Sequence, residues 1–146
     1  MHLCCSASQS KVAADTAPRH TSPVKERTMT IIKKPFEYKD SEGKVYEGML
    51  CYEDGHSEPR PGVIVIHAFA GAGEFEFARA SALAELGYVA LAADMYGKGL
   101  RAKNLDEGRA LLGHLMGGER AELGKRLQAT RDAFANLDIV DEEKVC

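Results

Sequence analysis

Arg60-Pro61-Gly62-Val63-Ile64-Val65-Ile66-His67-Ala68-Phe69-Ala70-Gly71-Ala72-Gly73 is a continuous apolar run, opened by Pro-Gly, ended by a polar residue and followed by a loop of small residues. A Val- and Ile-rich run of this length predicts a strand buried on both faces of a parallel sheet. The loop after it then lies at the carboxyl edge of that sheet, where open α/β sheets bind their ligands. Gly71 and Gly73 serve equally well as a tight strand-to-helix turn, and that reading stands beside the site loop.

Outward from this run, Pro35–Lys39 and Lys44–Tyr52 are strand-like segments around Asp40-Ser41-Glu42-Gly43, which predicts an antiparallel hairpin. Polar residues 53–59 read as a surface loop, with His56 solvated. Downstream, Phe77, Ala80, Leu83 and Ala84 fall at helical spacing, and Gly87 suits the helix end. Tyr88–Ala93 predicts a second buried strand, so that strand, helix and strand form a right-handed βαβ unit. Asp94 then shares a sheet edge with His67. After a Gly- and Lys-containing loop, Asn104 or Asp106 caps a helix carrying Gly108, Leu111, Leu112 and Leu115, broken at Gly117-Gly118. A further helix carries Leu123, Leu127, Phe134 and Leu137 on one face. Residues 138–144 read as a polar link, and Val145-Cys146 as the first step of another strand.

With 146 residues, 45% hydrophobic and 28% charged, the chain suits one globular domain. Residues 1–28 lack the large apolar side chains needed to offset ordering entropy and are expected to form a disordered tail before a domain spanning 29–146. A formal net charge of −3 without a basic stripe argues against nucleic acid or an anionic membrane as partner. No apolar segment approaches the roughly 18 residues of a membrane helix, and a cytoplasmic protein is expected. Cys4, Cys5, Cys51 and Cys146 include no Cys-x-x-Cys pair and no His at ligand spacing, so neither a metal site nor a disulfide framework is expected. Gly71-Ala-Gly-Glu-Phe-Glu76 has Glu where a dinucleotide fingerprint needs its third glycine, and no Gly-Lys-Ser/Thr follows a strand; no cofactor is expected.

The order of elements, the Arg60–His67 strand with its small loop, the pattern Leu86-Gly-Tyr-Val-Ala-Leu-Ala-Ala-Asp-Met-Tyr-Gly-Lys-Gly99 and the helical stretch ending in Asp141-Glu-Glu-Lys-Val145 together resemble the dienelactone hydrolase family over Tyr46 to Val145. The resemblance implies the amino-terminal portion of an α/β-hydrolase: an antiparallel hairpin, then parallel βαβ strands, flanked by helices in a three-layer sandwich. It implies hydrolysis of a small-molecule ester or lactone by a nucleophile, usually Cys, with an Asp and a His later in the chain. The Gly-x-Cys/Ser-x-Gly elbow such a nucleophile needs is absent, and Cys146 falls on the strand leading to it, so no catalytic nucleophile, Asp or His is assigned and the chain alone is expected to be inactive. What the resemblance leaves is the backbone N–H of Phe69 as an oxyanion donor and Lys98 as a substrate-binding residue. His67 and Asp94 are read as structural members of the site loops. Two departures stand out: Ala68 where many members have Glu, and Lys98 where dienelactone-specific enzymes have Arg, which replaces a bidentate fork with a point charge. The rival reading is a non-catalytic protein, a pseudo-enzyme or a subunit that self-associates or completes its sheet through an exposed edge.

Deleting residues 1–28 is expected to leave the circular dichroism spectrum and Tm nearly unchanged; a fall of more than about a few degrees would show that the tail packs on the domain.

Overall fold

The computed structural model describes residues 29–146, so the expected tail, with Cys4 and Cys5, lies outside the described residues. The strands are β1 (Ile31–Lys39), β2 (Val45–Glu53), β3 (Arg60–Ile66), β4 (Val89–Ala93) and β5 (Val140–Val145). The helices are α1 (Glu74–Glu85), α2 (Leu105–Met116) and α3 (Ala121–Ala135). One sheet runs in the order β1-β2-β4-β3-β5, with β1, β2 and β4 joined antiparallel and β4, β3 and β5 joined parallel.

The hairpin turns where Asp40 and Gly43 dictate. The Asp40 carboxylate accepts the amides of Glu42 and Lys44, and Gly43 takes a φ of 82°, a conformation that costs a glycine little. β1 begins at Ile31, earlier than the expected Pro35, because the hairpin ladder continues through Ile31 opposite Glu53.

Alternation along β4 separates two cores. Val89, Leu91 and Ala93 face Leu115 of α2, Phe134 of α3 and Val140, while Ala90 and Ala92 face Ala80 and Ala84 of α1. The sheet is therefore the middle of three layers, and β4 is the strand buried along its whole length. β3 is not: most of it is half-buried, and Ile66 is 42% exposed, contrary to the expectation from its apolar run. The cause is placement, because α1 lies mainly over β2 and β4, and α3 meets β3 chiefly through Phe134 at Gly62.

Two further expectations are corrected. The expected stripe of α3 holds at Leu123, Phe134 and Leu137, which pack on the core, but not at Leu127, which is 37% exposed; Arg126 and Thr130 are buried beside it. The polar groups there are internally satisfied, since the Thr130 hydroxyl donates to the Arg126 carbonyl at 2.8 Å. The presumed polar link at 138–144 is largely strand. Val140, 5% exposed, anchors β5 opposite Arg60, and the charged residues after it sit on the sheet's outer edge, where burial is not required. Register slips there, from Pro61 opposite Asp141 to Gly62 opposite Val145, with Asp141 accepting the Glu143 amide and the Lys144 ammonium.

A Cβ at Gly62 would stand 2.7 Å from the ring of Phe134 and 3.0 Å from Val140. Gly62→Ala is expected to destabilise the fold by about 1–3 kcal/mol in urea unfolding, and Phe134→Leu to recover part of that loss by opening the space. Additive penalties would show that the ring does not set the limit.

Candidate active site

β3 and β4 pair up to Ile66 opposite Ala93, so the next residue of each strand, His67 and Asp94, emerges side by side at the carboxyl edge. His67 uses both ring nitrogens. Nε2 lies 3.0 Å from the Met95 amide, which donates to it, and Nδ1 lies 2.6 Å from the Ala68 carbonyl, to which it must donate. That pattern fixes the tautomer with the proton on Nδ1. Nε2, 4.0 Å from Asp94 Oδ1, then has no proton to offer it, and the approach is not an ion pair. The ring packs on Tyr96 with centroids 4.6 Å apart.

Asp94 is 4% exposed, and its carboxylate accepts the amides of Tyr96 at 2.8 Å and Gly97 at 3.0 Å, closing the turn after β4. Its carbonyl accepts the hydroxyl of Tyr38 from β1 at 2.6 Å. Burial pushes the Tyr38 phenol from its ordinary 10.0 up to about 12.

The two loops are stitched together. The Tyr96 hydroxyl donates to the Phe69 carbonyl at 3.0 Å, and the Ala102 amide donates to the Ala70 carbonyl, also at 3.0 Å. Arg101 lies over the loop glycines, close enough that a Cβ at Gly73 would collide with its guanidinium. At the loop's end the Gly73 amide donates to Glu76 in the first turn of α1, which explains the glutamate at the third fingerprint position. Among the described residues no acceptor takes the Phe69 N–H, while the Phe69 ring, in a residue 44% exposed, fills the space left by Gly108 of α2.

From the opposite layer, Arg126 is 3% exposed and reaches the same turn. Its Nη1 donates to the Met95 carbonyl at 2.5 Å, and Nε and Nη2 donate to Glu122 at 2.8 and 2.5 Å. These bonds hold the Glu122 carboxyl below its ordinary value. Neither Arg126 nor Tyr96 is singled out by the sequence reading. The Glu122–Arg126 spacing of four residues is the one local signal that marks the arginine.

Lys98 sits apart from His67 and Phe69. Its ammonium lies between Glu37 of β1 and Glu47 of β2, 2.9 Å from the latter, and its proton is held more tightly through hydrogen bonds to Glu37 first and then Glu47. A substrate carboxylate would compete with both. Cys146 is exposed and extends β5, its amide donating to the Gly62 carbonyl and its carbonyl accepting from Ile64. A cavity of about 510 Å³ beside the turn is lined by Glu47, Phe77, Asp94, Arg101 and Lys103, without His67 or Phe69. A larger one, about 730 Å³, lies around residues 135–144 and Glu58, away from the stitched loops. Among the described residues no group of His, Cys, Asp and Glu is arranged to hold a metal ion, and no helix is long and apolar enough to cross a membrane.

A model of the dienelactone hydrolase family matches residues 47–146. Among solved structures, m3DLH is 28% identical with a TM-score of 0.73, the match covering 79% of this chain and 47% of that one. A dienelactone hydrolase-like promiscuous phosphotriesterase from metagenomic libraries is 33% identical with a TM-score of 0.71, over the same shares of the two chains. The chain thus spans about half the length of these structures. No curated protein matches it.

Because the Tyr38 proton is held more tightly in the folded state, the stability it contributes is complete below pH 10.0 and is lost as pH rises through about 12. Tyr38→Phe is therefore expected to flatten the decline of urea-unfolding stability across that window, at the cost of the bond to Asp94. An unchanged slope, or phenolate absorbance appearing at the ordinary pH for every tyrosine, would contradict the assignment.

Proposed function

Because this chain belongs to the dienelactone hydrolase family, we propose that it supplies the amino-terminal half of an ester- or lactone-hydrolysing domain, and that its contribution to the chemistry is the Phe69 amide. The observation that carries this reading is the N–H of Phe69, which no acceptor takes among the described residues, in a loop whose carbonyls at Ala68, Phe69 and Ala70 are all bonded. As a nucleophile attacks an ester carbonyl carbon, the π pair moves onto the oxygen. A fixed donor there stabilises charge that exists only in the tetrahedral intermediate. The second donor, in such sites, is the amide after the nucleophile.

The nucleophile elbow is not among these 146 residues, so in this reading the chain alone forms no acyl-enzyme. Cys146 does not substitute for it: its backbone extends a strand, and its thiol lies against the Gly62 carbonyl, 3.7 Å away. Asp94 and His67 are assigned to building the site loops, and no cofactor or metal is assigned. Lys98 is left as a minor contributor to substrate choice, since Glu37 and Glu47 already occupy it.

A second reading rests on β5, which ends the sheet with β3 as its neighbour, so that its outer edge is open to a strand from another chain. Its charged, irregular residues 141–144 weigh against β-addition along that part. A concentration-independent monomer in light scattering would set this reading aside.

Joining the chain to a family segment that bears elbow, Asp and His is expected to raise p-nitrophenyl acetate turnover by orders of magnitude, because the triad and the oxyanion donors act as a unit. A stoichiometric burst from the bare chain that Cys146→Ser abolishes would overturn the proposal. In the joined protein, Lys98→Ala should leave the ratio of KM for anionic and neutral esters within about twofold, because an exposed ion pair contributes little. A selective rise for the anionic ester would place Lys98 in the site.

A further inference from the structure

The Ala68 carbonyl and the Phe69 N–H belong to one planar peptide group, so whatever grips the oxygen also aims the hydrogen. His67 grips that oxygen through Nδ1–H at 2.6 Å, the shortest bond in the loop, while the Gly71 amide reaches it at a looser 3.3 Å. The imidazole is not free to turn. Met95 donates to Nε2, Tyr96 covers the ring, and Met95 is itself held by Arg126 on its carbonyl. The side chain of His67 is 2% exposed, so water does not compete for either nitrogen.

From this geometry we infer that His67 is the positioning residue of the oxyanion donor: it sets the plane of the Ala68–Phe69 peptide, and the Met95 amide imposes the tautomer that lets it do so. This rests on the reading of Phe69 as the oxyanion donor, but the two are separable. The orientation of the peptide is a property of the chain, whereas its use is a property of the completed domain. His67 takes no proton from substrate or nucleophile in this scheme, since its one lone pair on Nε2 is already an acceptor.

The test uses two substitutions that each keep half of the imidazole's bonding. The amide of Asn at this position reaches the place of Nδ1 and can donate to Ala68; that of Gln reaches the place of Nε2 and can accept from Met95. In the labelled 146-residue chain, His67→Gln is expected to move the Ala68 carbonyl carbon upfield and displace the Phe69 amide resonance, and His67→Asn to restore both in large part. In the domain completed with elbow, Asp and His, His67→Gln is expected to lower kcat by about 10²-fold, comparable to removing a donor, with KM nearly unchanged. His67→Asn is expected to recover most of that loss. If neither resonance moves in His67→Gln, or if Asn and Gln behave alike, the positioning role is overturned. If the resonances move but kcat does not, His67 aims the peptide and Phe69 is not the oxyanion donor. Should both variants unfold, long-range nitrogen correlation on the wild-type ring decides: a proton on Nε2 instead of Nδ1 overturns the inference.

Discussion

Met95 is fully buried, and its two backbone polar groups are claimed by side chains from two separate elements. His67 takes the N–H, and Arg126 reaches from α3 to the carbonyl. The constraint behind this is general: the chain leaves a wholly buried strand, β4, and cannot wet its backbone until it is clear of both flanking layers. Every polar group in that interval needs a protein partner. Asp94 answers for the amides of Tyr96 and Gly97, and Tyr38 for the carbonyl of Asp94. Three elements that are distant in sequence, β1, β3 and α3, are thereby tied to one turn, and the loop after β3 takes its shape from that knot.

Much of the sheet is legible because its signals are local. The turn chemistry of Asp40 and Gly43, the period-two and continuous apolar runs, the cap at Asn104 and the glycine after α1 each act over a few residues. His67 and Asp94 are legible for a related reason, as the polar residues that end two apolar runs. What escapes is decided by distance. Arg126 sits among charged neighbours on α3 and has the sequence context of a solvated residue; beyond Glu122 on its own helix, the carbonyl of Met95 and the ring of Tyr46 give it a reason to be inside. Leu127 is exposed because the same helix turns Arg126 inward. β5 is hidden by composition, since an edge strand needs only one anchoring side chain, and Val140 provides it. The half-burial of β3 follows from where α1 lies, which its own residues do not encode.

The division of labour in the proposed chemistry follows from the same architecture. A donor for a developing oxyanion helps only if it is already in place before charge appears, since reorganising it would cost what it contributes. The residues that achieve this placement, His67, Tyr96, Arg126 and Asp94, are all within this chain, and none is required to exchange a proton. In that proposal the reactive groups come from the segment that bears elbow, Asp and His. The chain supplies, in the same proposal, the rigid portion of the site, and the side chains of His67, Asp94 and Tyr96 hydrogen-bond to backbone rather than to one another.

The face of β4 that meets α1 is built from Ala90 and Ala92 against Ala80 and Ala84. Where α1 crosses β4, methyl groups separate helix from strand, so α1 lies close there, with Cys51, Met49, Phe77 and Leu83 packed around the contact. The seven residues from His67 to Gly73 are strung between the end of β3, held by its pairing with β4, and the start of α1, with little slack to absorb a change in helix height. Bulk added at Ala84 or Ala92, remote from any reacting group, would raise the helix and draw the loop taut. The smallest side chains in the core thereby act as the spacer that calibrates the reach of the site loop.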